Sequence, residues 1–150
     1  MKALIQRVLR GNVAVNDEVV GKIGRGYVVL LGIKVEDAEA DARRLANKTI
    51  NLRVFPDDDE RMNLTIEDVG GEILVISQFT LYADTRKGNR PSFVRAAPAE
   101  IAETLYNTYV ESLRQVLGNS RVVTGIFKSA MVVEIVNDGP VTVELSTDDK

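Results

Sequence analysis

The chain has 150 residues, 45% of them hydrophobic and 27% charged, with a net charge of −3. This is the size and composition of one ordinary globular domain. It holds neither histidine nor cysteine, which excludes Ser-His-Asp and Cys-His nucleophiles, disulfides and the usual ligands of structural zinc. Apolar runs such as Tyr27 to Leu31 are too short to cross a bilayer. Gln6 and Arg7 interrupt the N-terminal apolar stretch too early for a signal peptide, so a cytoplasmic protein is expected.

In chain order, "ALIQRV" and "VAV" read as strands separated at Gly11-Asn12, and Asn16-Asp17 offers a second turn. Gly24-Arg25-Gly26 leads into "YVVLLGI", a strand apolar enough for burial on both faces. Apolar spacing at Ala38, Ala42, Leu45, Ala46 and Thr49 predicts a helix from about Glu36 to Asn51. "LRVF" is a short strand, and Asp57-Asp58-Asp59-Glu60 after Pro56 is a solvated turn rather than a calcium loop. The glycines of "GKIGRG" match no phosphate-cradling spacing.

Gly70-Gly71 then precedes a strand, "EILVISQFTL", and Thr85 to Arg95 forms a basic loop. Pro98 opens a second helix with an apolar stripe at Ile101, Leu105, Tyr109, Leu113 and Val116, closed by Gly118. The remainder, "VVTGIF", "MVVEIV" and "VTVEL", is β structure followed by a polar tail. No repeat or linker divides the chain. The expected fold is α+β, a single domain over residues 1–150, with largely antiparallel sheets and two principal helices.

Two strings carry chemistry. In "SQFTL", Ser77, Gln78 and Thr80 interrupt an apolar run without any base beside them, so neither hydroxyl reads as an activated nucleophile. They serve either to satisfy backbone groups at a strand end or to position water and stabilise an oxyanion. In "NDGPVT", Asp138-Gly139 suits a hairpin turn, yet Pro140 cannot donate to a ladder, and an X-Pro bond has an appreciable cis population.

The two strings together resemble the signature motifs of the D-aminoacyl-tRNA deacylase family. The resemblance extends from "ALIQRV" through "YVVLLGI", "MNLTI" and "SQFTLYADTRKGNRPSF" to "MVVEIVNDGPVTVEL". It implies hydrolysis of the ester joining a D-amino acid, or glycine, to the terminal adenosine of tRNA. It also implies a homodimer with no metal or organic cofactor and no membrane or DNA partner. The resemblance gives Ser77, Gln78, Phe79 and Thr80 as the pocket. Backbone N–H groups near Phe79 and Thr80 would face the scissile carbonyl, and the polar side chains would hold the ribose. Gly139 and Pro140, joined by a cis bond and braced by Arg7, would enter the partner subunit's site and reject L side chains. Thr80 acts either as a covalent nucleophile or by orienting the ribose hydroxyl.

Arg86, Lys87 and Arg90, with Arg95 beyond them, are the expected tRNA contacts. Two other readings start from the same residues: a non-catalytic RNA-binding module using "TRKGNRPSF", and a small-molecule esterase using Thr80.

Overall fold

The computed structural model describes residues 1–148; Asp149 and Lys150, at the end of the polar tail, lie outside the described residues. The long first strand, β1 (Lys2–Val15), organises the main sheet. One of its edges pairs antiparallel with β3 (Gly26–Gly32) along its first half and with β2 (Glu18–Ile23) along its second. The other edge pairs antiparallel with β8 (Val132–Ser146). Beyond β3 the sheet turns parallel, through β6 (Glu72–Ser77) to β7 (Val122–Thr124). The sheet is therefore mixed, whereas the strand pattern alone suggested mostly antiparallel pairing. β4 (Phe55–Pro56) and β5 (Met62–Leu64) form a separate small ribbon.

Asn16 and Asp17 have φ of 50° and 63° and close the β1–β2 hairpin as a two-residue turn, as their residue types predict. Gly11-Asn12 does not turn. β1 runs straight through it, because a Cβ on Gly11 would meet Val28 Cγ2 at 2.9 Å and the Glu134 carbonyl oxygen at 3.2 Å. That glycine admits neighbouring strands closely; it does not bend the chain.

β8 corrects a second expectation. It continues through Asp138-Gly139 as one edge strand, with no hairpin, and Ser146 belongs to it and is buried. Between the pairs Gln6–Thr142 and Val8–Asn137, the single residue Arg7 faces the stretch from Asp138 to Val141, which bulges out of the ladder. An edge strand with a bulge is where a sheet tolerates proline.

The first helix, α1 (Glu39–Ile50), starts later than its apolar spacing suggests. The Asp37 carboxylate accepts from the Lys34 N–H at 2.7 Å, and the Asp37 N–H donates to the Lys34 carbonyl, holding a turn before the helix. Asp41 then accepts from the Ala38 N–H at 3.0 Å and caps the start. The second helix, α2 (Ala99–Leu117), buries Leu105, Tyr106, Tyr109, Val110, Leu113 and Leu117. Ile101 and Val116 are about half exposed: a strict four-residue spacing drifts around the helix, and the true stripe mixes three- and four-residue steps.

Both helices cover one face of the sheet, over Tyr27, Val29, Leu31, Ile73 and Val75. Val28, Leu74 and Ile76 point to the other face, into a second cluster with Val8, Val13 and Ile23. β3 and β6 are thus buried on both faces. No described helix is long and apolar enough to cross a membrane.

Candidate active site

β6 ends at Ser77 because its partner β3 ends at Gly32 and the ladder stops at the Leu31–Ser77 pair. The Gln78 N–H makes a last bond to the Leu31 carbonyl at 2.8 Å, and the chain then enters a 3-10 turn, Phe79–Tyr82. The sequence pattern predicted an unbroken strand here. The Leu81 N–H closes onto the Gln78 carbonyl and the Ala83 N–H onto the Thr80 carbonyl. Among the described residues, the N–H groups of Phe79 and Thr80 have no acceptor. Free donors are normal in the first residues of a helical turn; here the first of them belongs to Phe79, which lines a cleft, whereas Thr80 is not among the lining residues.

That cleft encloses about 510 Å³. Ser77, Gln78 and Phe79 form one edge, and Leu31, Ile33, Ile76, Ala97 and Ala102 form an apolar floor. The opposite wall is Phe127, Lys128, Ser129, Met131 and Val133. Sequence reasoning missed this wall by treating "VVTGIF" and "MVVEIV" only as strands. The signal was Gly125 and the polar Lys128-Ser129 step between them, and Lys128 indeed turns with φ 65°.

The Gln78 side-chain amide donates to Thr80 Oγ1. An amide takes no proton, so it orders the hydroxyl and leaves the Thr80 O–H free to donate elsewhere. No general base touches Thr80 among the described residues, and no three His, Cys, Asp or Glu side chains there gather as metal donors.

The Gly139–Pro140 peptide is cis, and both residues are exposed. Arg7 lies beneath them, nearly buried. Its Nε donates to the Asp138 carbonyl and lies 3.2 Å from Asp138 Oδ2, and its Nη1 donates to the Val54 carbonyl at 2.5 Å. None of Arg7, Gly139 and Pro140 lines the cleft. Arg7 pairs with Tyr27, which pairs with Ile73, four positions before Ser77 on β6. Four residues along the strands and three strand spacings across give roughly 20 Å along the sheet between the bulge and the cleft of the same chain. The structure brings Ser77 to Thr80 together and holds the Arg7 group apart from them.

The basic loop is tied at its base, where Asp84 and Ser92 exchange backbone hydrogen bonds of 2.8 and 2.9 Å. Arg86 grips Asp84 through Nε and Nη2. The hydrogen bonds from that guanidinium hold the Asp84 carboxyl well below its usual range. Lys87 and Arg90 are exposed and without an ion pair among the described residues. Arg95 turns away, over the Tyr82 ring at 5.8 Å.

A largely apolar cleft edged by a hydroxyl, an amide and the free N–H of Phe79, with Lys128 on the opposite wall, has the outfit of a hydrolase for acyl groups that are already activated. Residues 4–146 match the D-Tyr-tRNA(Tyr) deacylase family. A D-aminoacyl-tRNA deacylase of Roseiflexus sp. (strain RS-1) is 56% identical over 147 residues, covering 98% of this chain and 94% of the relative. That of Desulforamulus reducens is 53% identical over 147 residues, covering 98% and 97%. The chain belongs to the D-aminoacyl-tRNA deacylase family, hydrolases of aminoacyl-tRNA.

Among solved structures, a c-Myc DNA unwinding element binding protein superposes with a TM-score of 0.93 at 44% identity, over 98% of this chain and 99% of that one. A probable eukaryotic D-amino acid tRNA deacylase superposes with a TM-score of 0.83 over 96% and 97% of the two chains; at 18% identity it speaks for the fold alone.

Proposed function

We propose that this chain hydrolyses the ester between a D-amino acid, or glycine, and the 3′-terminal adenosine of tRNA in the cytoplasm, and that it does so as a homodimer. The observation that carries this reading is the pair of free N–H groups on Phe79, which lines the cleft, and on Thr80, next to it in the chain. An aminoacyl ester is activated by its own ribose, which carries a hydroxyl beside the carbonyl. Hydrolysis then needs a positioned ester, a positioned water and donors for the oxyanion, and it needs no histidine. In this reading the two N–H groups receive the developing negative charge. Ser77, Gln78 and Thr80 hold the ribose, with the Thr80 O–H donating to its free hydroxyl. The hydrogen bond that Thr80 accepts from Gln78, with no base nearby, weighs against a covalent role for Thr80.

Chirality is read by backbone. Gly139 and Pro140, exposed and braced by Arg7, enter the partner subunit's cleft and leave no room for an L side chain. Glycine, which has none, is admitted. The roughly 20 Å along the sheet to their own cleft supports action in trans. Lys87 and Arg90 contact the acceptor-stem phosphates. A duplex-DNA surface is disfavoured for this chain by its net charge of −3 and by Arg86 being engaged with Asp84.

The test is hydrolysis of paired D- and L-aminoacyl-tRNAs and glycyl-tRNA. Turnover of the D and glycyl esters with the L ester spared is expected. Equal turnover of both enantiomers would leave a generic esterase, and binding without turnover an RNA-binding module.

A further inference from the structure

The chain has four Phe and four Tyr. All the tyrosines and Phe55 are buried, and Phe127 is packed into the cleft wall. In the single chain, Phe79 and Phe93 alone among these rings are exposed, by 57% and 36%. They are in contact with each other, edge to face, with ring centroids 5.0 Å apart at 73°. Two large rings left in water at one place, in a chain otherwise sparing of exposed aromatics, mark a surface that something covers.

The position of the pair says what fits. Phe79 lines the cleft and carries one of the free N–H groups, whereas Phe93 stands just outside the lining. The rings therefore straddle the cleft rim. Phe93 directly follows Ser92, whose bonds to Asp84 root the loop that carries Lys87 and Arg90. Aromatic faces beside unpaired cations are the combination that binds single-stranded nucleic acid: bases stack on the rings while the cations follow the backbone.

We infer that Phe79 and Phe93 form a stacking platform for the penultimate nucleobase of the tRNA 3′ end, outside the pocket for the terminal adenosine. The inference rests on the function proposed above and adds the nucleotide at which RNA, as distinct from an aminoacyl nucleoside, is recognised. A stacking face reads any base, so the platform gives affinity for a single-stranded 3′ end without demanding a sequence. It also fixes the direction of the strand leaving the cleft, across Phe79 toward the basic loop.

The experiment compares kcat/KM for a D-aminoacyl-tRNA with that for the same D-amino acid esterified to adenosine alone. Phe93→Leu keeps the apolar bulk and removes the π-face. It is expected to lower the ratio of the two kcat/KM values on the order of tenfold, through KM for the tRNA, and Phe93→Trp to restore the ratio. A ratio unmoved by Phe93→Leu would overturn the platform. So would a Phe93→Leu variant whose subunit count differs from wild type by sedimentation, since the rings would then be covered by a second copy of the chain. Failure of the wild type to hydrolyse either ester would instead bring down the enzymatic reading, and the platform with it.

Discussion

Gly139 has φ of +122°, and a Cβ there would meet the Val141 nitrogen at 3.1 Å and Arg7 Nη2 at 3.2 Å. An L side chain is strained at that angle and would also displace the guanidinium that holds the bulge. Gly139→Ala is therefore expected to cut kcat/KM on a D-aminoacyl-tRNA about a hundredfold through sub-ångström misplacement of the bulge. The melting temperature should move by only a few degrees, because the bulge is exposed and lies outside both core clusters. Retained activity would show that the bulge is not read by the substrate. Tyr82 presents the opposite case. Its hydroxyl is buried with no partner among the described residues, and burial pushes its pKa up. Tyr82→Phe should leave stability unchanged or raise it, measured by urea unfolding, since an unsatisfied buried hydroxyl stabilises nothing. A loss above about 1 kcal/mol would reveal a bound water or other partner. At this scale the sequence singled out Ser77 to Thr80, of which Ser77, Gln78 and Phe79 line the cleft. It was silent on Phe93 meeting Phe79, and on Arg86 being committed to Asp84, because both depend on a loop closing back on itself.

The elements follow their periodicity except where a long-range partner decides. β1 passes through Gly11-Asn12 because Val28 and β8 crowd that glycine, which no local turn signal could convey. β6 stops at Ser77 because β3 has run out, although Phe79, Thr80 and Leu81 all suit a strand. This termination leaves the Phe79 and Thr80 N–H groups without backbone acceptors among the described residues. The basic loop also gains its properties from closure. Of its cations, Arg86 is engaged with Asp84, whereas Lys87 and Arg90 are unpaired among the described residues. Replacing both Lys87 and Arg90 with Ala should reduce the slope of log affinity against log salt by about one to two for tRNA. Arg86→Ala should change it less, because that guanidinium is already paired with Asp84 and is not free to contact phosphate. An unchanged slope in the double variant would show the loop to be a merely solvated face. Asp84 stays ionised through the ordinary carboxylate range. With its folded pKa depressed, the contribution of this pair is present above the unfolded value and is lost only as pH falls through the lower folded one.

For the whole molecule, composition and strand pattern were enough for an α+β fold with two helices on a sheet. They did not reveal that β3, β6 and β7 run parallel, because a doubly buried apolar strand reads the same in either direction. That mixed sheet fixes the distance that matters most: the cleft opens at the end of β6, and the Arg7-braced bulge lies on the far edge strand. If each site takes its turn from one subunit and its bulge from the other, two defective chains can complement each other. Phe79→Pro removes one free N–H at the first position of the 3-10 turn, where proline is tolerated, and Gly139→Ala spoils the bulge. In a mixed dimer of the two variants, the intact turn of one chain meets the intact bulge of the other, while the second site carries both defects. Co-refolding equal amounts makes half the dimers mixed, so D-aminoacyl-tRNA hydrolysis should recover to about a quarter of the wild-type rate. A mixture no more active than the average of the two variants refolded separately would contradict a site shared between subunits.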